Sequence, residues 1–246
     1  MCCITNYDAS AGFPLWFWLC QVRVSEKPIV SIGSILPVLL LFSGVLVHFL
    51  FLVSLKTGWL NPLFNDSMHR FGPGADFFSI YAAGIKARLG ESVYTIGGHV
   101  EQVPYAYAFR YAPFVADTLG AALSVFSAIK PYALWLILCE LAMLRNIRLT
   151  LEAAPDLRTG YIACAMWLLF SPYYLELYVG QFTFITASMV FWSYLAWQRS
   201  NALGKSAAVG WADLWFAAAV WLKMMPLLYL PIAFLRSTGG IKPPAR

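Results

Sequence analysis

Residues 29–55 read IVSIGSILPVLLLFSGVLVHFLFLVSL and contain no Asp, Glu, Lys or Arg. An uncharged run of that length has the dimensions of a membrane-spanning helix, because a backbone in hydrocarbon satisfies its N–H and C=O groups by helical hydrogen bonding. The rest of the chain agrees. Over 246 residues the sequence is 60% hydrophobic and 12% charged, whereas a water-facing surface needs about twice that charge. These features predict an all-α polytopic integral membrane protein. They exclude a disordered chain, a secreted disulfide scaffold, a DNA-binding module and a soluble nucleotide-binding enzyme.

The formal charge of +5, from 17 Lys and Arg against 12 Asp and Glu, is what cytoplasmic loops supply in a membrane protein and does not argue for nucleic acid. The five cysteines include no C-x-x-C pair, so neither a disulfide framework nor a zinc site is expected. His48 lies in the first apolar run, and His69 and His99 are far apart, which is not a metal-ligand pattern. Asp66 stands ten residues before Asp76, not in the D-x-D pairing of a bound divalent cation, so no metal or other cofactor is expected. Residues 1–28 lack a basic region ahead of their short apolar run and read as an interfacial segment with Trp16 and Trp18 at headgroup level.

Beyond the first span the longest polar stretch, 56–110, is Gly-rich and carries both charge signs, as a folded loop does. Apolar runs follow at 113–128, 131–144, 159–175, 181–198, 206–222 and 224–235, with a tail at 237–246. Four basic clusters, around Arg23, Arg145, Arg199 and Arg236, favour the cytoplasm. All four reach it under strict alternation only if 113–128 does not cross; its 16 residues span about 24 Å of a core of about 30 Å. A re-entrant segment is therefore expected there, a short tilted crossing being the alternative. The loop 56–110, the connector from Ser171 to Gln181 and the break at Lys223 to Pro226 then share the outer face.

Within the loop, residues 76–90 read as one amphipathic helix along the membrane surface, with Asp76 at the N-cap, Phe77, Ile80, Tyr81 and Gly84 at helical spacing, and Gly90 ending it. Asp76 can cap, or can take a proton from a hydroxyl. Pro113 starts a helix, Gly180 ends one, and Lys223, between two apolar runs, either snorkels to the headgroups or serves a site. Tyr105, Tyr107, Tyr173, Tyr174 and Tyr178 read as interfacial anchors or as a platform for sugar or lipid.

Taken in order, Asp76-Phe77, Tyr81 and Ala83-Gly84, Gly90 and Tyr94, Phe109-x-Tyr111-x-Pro113, Ser171-Pro172, Gly180-Gln181 and Leu222-Lys223-x-x-Pro226 resemble glycosyltransferase family 87 over about Ile29 to Arg236. The sequence departs from the family pattern at Ala112, where a second Pro is common, and at Thr183, where Asn is common. Members are usually longer, with further C-terminal spans, so an N-terminal part or a truncated copy is expected.

The resemblance implies a GT-C-like helical bundle in a bacterial plasma membrane, with its active face extracytoplasmic. It implies a polyprenyl-phosphate-linked sugar donor, typically mannose, a lipid or glycan acceptor, membrane lipids as surroundings and an inverting hexosyl transfer. Asp76 takes the role of general base; Lys223, Arg110 and Lys86 offset charge on the leaving phosphate; Gln181 and Tyr81 bond sugar hydroxyls; and Tyr111 completes the substrate-binding set. A transporter or flippase of lipid-linked substrates and a non-catalytic scaffold are the alternatives, the former disfavoured by the lack of a visible inverted repeat.

Overall fold

The computed structural model describes residues 32–64, 72–95, 103–104, 108–203, 207–229 and 231. Among them every regular element is helical. The interfacial segment 1–28, the tail 237–246 and the residues Asp66, His69, His99, Tyr105 and Tyr107 lie outside the described residues. Two stretches, Ile35–Thr57 and Leu157–Val179, are long and apolar enough to cross a membrane.

Helix α1, Ile32–Thr57, is the uncharged run. It turns Leu36, Phe42 and Phe49 outward, each more than half exposed. Its inner face meets helix α5, Leu157–Leu168, at Gly44, where a Cβ would stand 2.9 Å from the Leu168 Cβ.

Helix α2, Ala75–Leu89, corrects the expectation of a surface helix. Ten of its residues are buried, including Phe77, Phe78, Ile80 and Ile85. Side chains on every face find neighbours within the bundle, and an amphipathic stripe would have left one side wet. Helix α3, Pro113–Leu123, covers one of those faces. The two backbones touch at Gly84 and Gly120: a Cβ on Gly84 would fall 2.0 Å from the Gly120 carbonyl carbon. Residues 116–120 of α3 form a π turn, closed by the Ala121 N–H on the Ala116 carbonyl. Eleven residues reach only about 16 Å as a helix.

Helix α4, Ile129–Ala153, runs well past the expected end at 144. The polar residues that read as a connector are partnered instead. Asn146 donates to Ser188 Oγ and accepts from Trp192 Nε1, Arg145 stacks over Trp192 and Trp215, and Arg148 pairs with Glu152 one turn on. A satisfied polar group is tolerated where an orphan is not. Asp156 caps α5 by accepting from the Thr159 N–H.

The expected single run 159–175 and the connector after it are also corrected. The chain breaks at Leu169 and Phe170, and helix α6, Ser171–Val179, follows, begun by Pro172 in its first turn and ended by Gly180 at φ 76°. Helices α7, Thr183–Leu203, and α8, Ala207–Leu222, pack along each other. The expected break at Pro226 is present: α8 stops at Leu222, and a 3₁₀ turn spans Met225–Tyr229.

One polar cluster links three helices. His48 Nε2 of α1 lies 2.8 Å from Glu140 Oε2 of α4, and the Tyr173 hydroxyl of α6 donates to Glu140 Oε1 at 2.8 Å. Tyr173, Tyr174 and Tyr178 are all core residues, neither anchors nor a platform. Tyr174 bonds the Leu168 carbonyl, and Tyr178 stacks on Phe64.

Candidate functional site

The site is built where α2 meets the turn after α6. Gly74, at φ 77°, precedes α2, and its N–H donates to the Tyr178 carbonyl at 2.7 Å. Opposite it, a Cβ on Gly180 would lie 2.8 Å from the Phe77 Cβ and 3.1 Å from the Gly74 Cα. Two left-handed glycines thus seat one turn against the other, and a side chain on either would be strained and obstructed. The residue after each turn is then delivered to the same place. Gln181 follows Gly180, and Asp76 comes two residues after Gly74.

Asp76 is therefore not the N-cap. Gly74 occupies that position, no side chain caps it, and Asp76 sits in the first turn with its carboxylate hydrogen-bonded to the Gln181 side chain. The Asp76 carboxyl is held above the ordinary Asp range by partial burial, an effect opposed by the Gln181 bond and by the positive charges of Arg110 and Lys223. A base raised in this way is a stronger proton acceptor, while the neighbouring cations keep the ionised form populated. Ser79, one turn along, faces the same space and ties its hydroxyl to the Asp76 carbonyl at 2.7 Å.

That space is a cavity of about 640 Å³, within the range of small-molecule sites. Asp76, Arg110, Gln181 and Lys223 line its polar part; Phe114, Trp221, Met224 and Leu228 line its apolar part. Tyr111 also borders it, edge-on to Phe182 at 5.9 Å between ring centroids. Burial first, and the Asp76 charge second, push the Tyr111 phenol far above the ordinary tyrosine range, so it remains a protonated donor. Phe182 is itself wedged against Trp135 at 4.1 Å and stacked on Phe77, which stiffens the wall behind Gln181.

Five of the expected site residues, Asp76, Arg110, Tyr111, Gln181 and Lys223, are brought together. Two are not. The Tyr81 hydroxyl donates to the Phe126 carbonyl at 2.5 Å, anchoring the turn after α3. The buried Lys86 Nζ bonds the Thr95 carbonyl and hydroxyl, fixing the chain that leaves α2. Both lie on α2, ten residues or fewer after Asp76, but their side chains are spent on structure. Lys223 does not snorkel: its Nζ donates to Thr183 Oγ1 at 2.5 Å.

Three residues escaped the sequence reading. Ser79 was legible as the i+3 neighbour of Asp76. Glu176 is a lone carboxylate one turn before Gly180, and its Oε2 accepts the Phe184 N–H at 2.5 Å. Thr183, noted only as a departure from a pattern, bonds both Glu176 and Lys223. Among the described residues no group of three or more His, Cys, Asp and Glu side chains converges as a metal site.

The site so defined combines a carboxylate, two cations and an amide with apolar side chains in one cavity, a composition suited to an amphiphilic anion. Comparison with family models, with curated proteins and with solved structures finds no match to this chain.

Proposed function

We propose that the chain is a polytopic membrane glycosyltransferase that moves a sugar, mannose in the first instance, from a polyprenyl-phosphate-linked donor to a lipid or glycan acceptor on the extracytoplasmic face of a bacterial plasma membrane. One observation carries the reading. Residues as far apart in sequence as Asp76, Arg110, Gln181 and Lys223 meet in one cavity whose remaining wall, Ser79 and Tyr111 apart, is apolar. Outward-facing Leu36, Phe42 and Phe49 on α1, and Leu134, Ile137 and Leu141 on α4, support the membrane setting, since water would oppose such faces.

In this reaction the acceptor hydroxyl oxygen attacks the anomeric carbon while Asp76 takes its proton. The bond from the anomeric carbon to the phosphate oxygen breaks, and its electron pair leaves with the phosphate. Arg110 and Lys223 offset that charge in a setting drier than bulk water, where fixed cations act most strongly. Gln181 orients the carboxylate, and the trough formed with Trp221, Met224 and Leu228 takes the first part of the lipid.

The test is transfer of radiolabelled mannose from polyprenyl-phosphate-mannose to endogenous acceptors in membranes that express the chain, beside Asp76→Asn at matched level. Loss of a general base lowers the rate by about a hundred-fold to ten-thousand-fold, with the fold preserved because Asn still bonds Gln181. Equal transfer by both proteins removes Asp76 from the chemistry. Transfer by neither, with both inserted and folded, overturns the reading.

A further inference from the structure

We infer that Glu176, acting through Thr183, is the positioning residue that fixes the Lys223 ammonium in the cavity. The inference rests on the reading just given, in which Lys223 meets the departing phosphate. Lys223 lies outside regular helix, between the end of α8 and the 3₁₀ turn. A lysine there carries its charge on a flexible stem, and a charge that must meet a developing anion loses effect if it wanders. Something must direct it.

Glu176 has the geometry to do so. It projects from α6 to the start of α7, where the Phe184 N–H is one of the donors a helix leaves without an internal partner, and it accepts that N–H at 2.5 Å. A carboxylate is well seated at a helix N-terminus, so its oxygens are fixed. The Thr183 hydroxyl, one residue before Phe184, neighbours the same carboxylate. A hydroxyl has one proton to donate; given to Glu176, it leaves the oxygen lone pairs facing elsewhere. Lys223 Nζ meets that oxygen at 2.5 Å. The order carboxylate, hydroxyl, ammonium therefore has a direction, with the carboxylate setting the hydroxyl and the hydroxyl setting the cation. Asp76 across the cavity feels the far end of this order, its ionised form being favoured by Lys223.

The experiment measures binding of farnesyl phosphate, and of farnesol as the uncharged control, to purified full-length protein in detergent by calorimetry. Lys223→Gln is expected to weaken farnesyl phosphate about tenfold, the scale of one charge-assisted hydrogen bond, and to leave farnesol unchanged. Thr183→Val, which keeps the shape but not the hydroxyl, is expected to match it. Thr183→Ser returns affinity to within about threefold of the wild type. The double variant Thr183→Val with Lys223→Gln binds no more weakly than Lys223→Gln alone, because both remove one link.

Wild-type affinity in Thr183→Val, or additive losses in the double variant, overturns the inference and leaves the glycosyltransferase reading standing. Should Thr183→Val fail to fold, Glu176→Gln reads the same link. Its amide oxygen still accepts the Phe184 N–H but is a weaker partner for Thr183, so undiminished farnesyl phosphate affinity there is equally fatal. A wild-type protein that binds farnesyl phosphate no better than farnesol removes the phosphate site, and both readings fall together.

Discussion

Asp76 shows how far one residue's role depends on which neighbour precedes it. As an N-cap its oxygens would face its own helix; with Gly74 in that place they face the cavity and Gln181. The charges around it give a pH prediction with a definite sign. Partial burial raises the Asp76 carboxyl, while Arg110 and Lys223 lower it. A base works when deprotonated, so transfer falls as pH drops through the carboxyl's range. Removing a cation removes a lowering influence, and Lys223→Gln or Arg110→Gln therefore moves the acid limb of the kcat/KM profile to higher pH. The measurement is that midpoint, separately from the lower plateau each variant will also show. An acid limb that stays in place, or moves down, shows that Asp76 is not the titrating group.

At the scale of elements the decisive contacts are made by glycine. Methyl groups on Gly84 and Gly120 have no room, the former meeting the Gly120 carbonyl at about 2 Å, as in close small-residue crossings between membrane helices. Gly84→Ala or Gly120→Ala is expected to cost about 1–3 kcal/mol or more by overpacking, seen as a lower thermal midpoint in detergent. Transfer falls further than stability does, because α2 carries Asp76 while the chain entering α3 carries Arg110. Midpoints equal to the wild type would mean that the crossing is looser than described.

These elements also mark what was legible in the sequence. The start at Pro113 and the stops at Gly90 and Gly180 follow from backbone chemistry alone, and all are observed. The end of α4 was not legible, because the partners of Arg145 and Asn146 lie on α7 and α8, more than forty residues away. Tyr81 and Lys86 misled for a related reason. Their residue types suit a sugar site, but the carbonyls that claim them, at Phe126 and Thr95, belong to irregular chain whose path no periodicity announces.

For the molecule as a whole, the cluster of His48, Glu140 and Tyr173 joins α1 to the helices behind it. The His48 and Glu140 side chains are 15% and 26% exposed, so removing one partner leaves the other's polar atoms stranded. His48→Leu is expected to destabilise by about 1–3 kcal/mol, and the triple variant with Glu140→Met and Tyr173→Phe to recover much of that loss, because replacing all three partners with apolar groups leaves no orphan. Unfolding in detergent measures both; a triple variant no better than the single would show that the cluster contributes through its own attraction. The π turn at residues 116–120 bears on how such an architecture tolerates change in chain length. It holds one residue more than an α-turn. Deleting that residue would restore a regular ladder yet swing Phe114 by about 100° relative to Gly120, leaving the helix a choice between its glycine seam and its aromatic contact with Trp221. The wide turn is the angular compromise by which one short helix meets both.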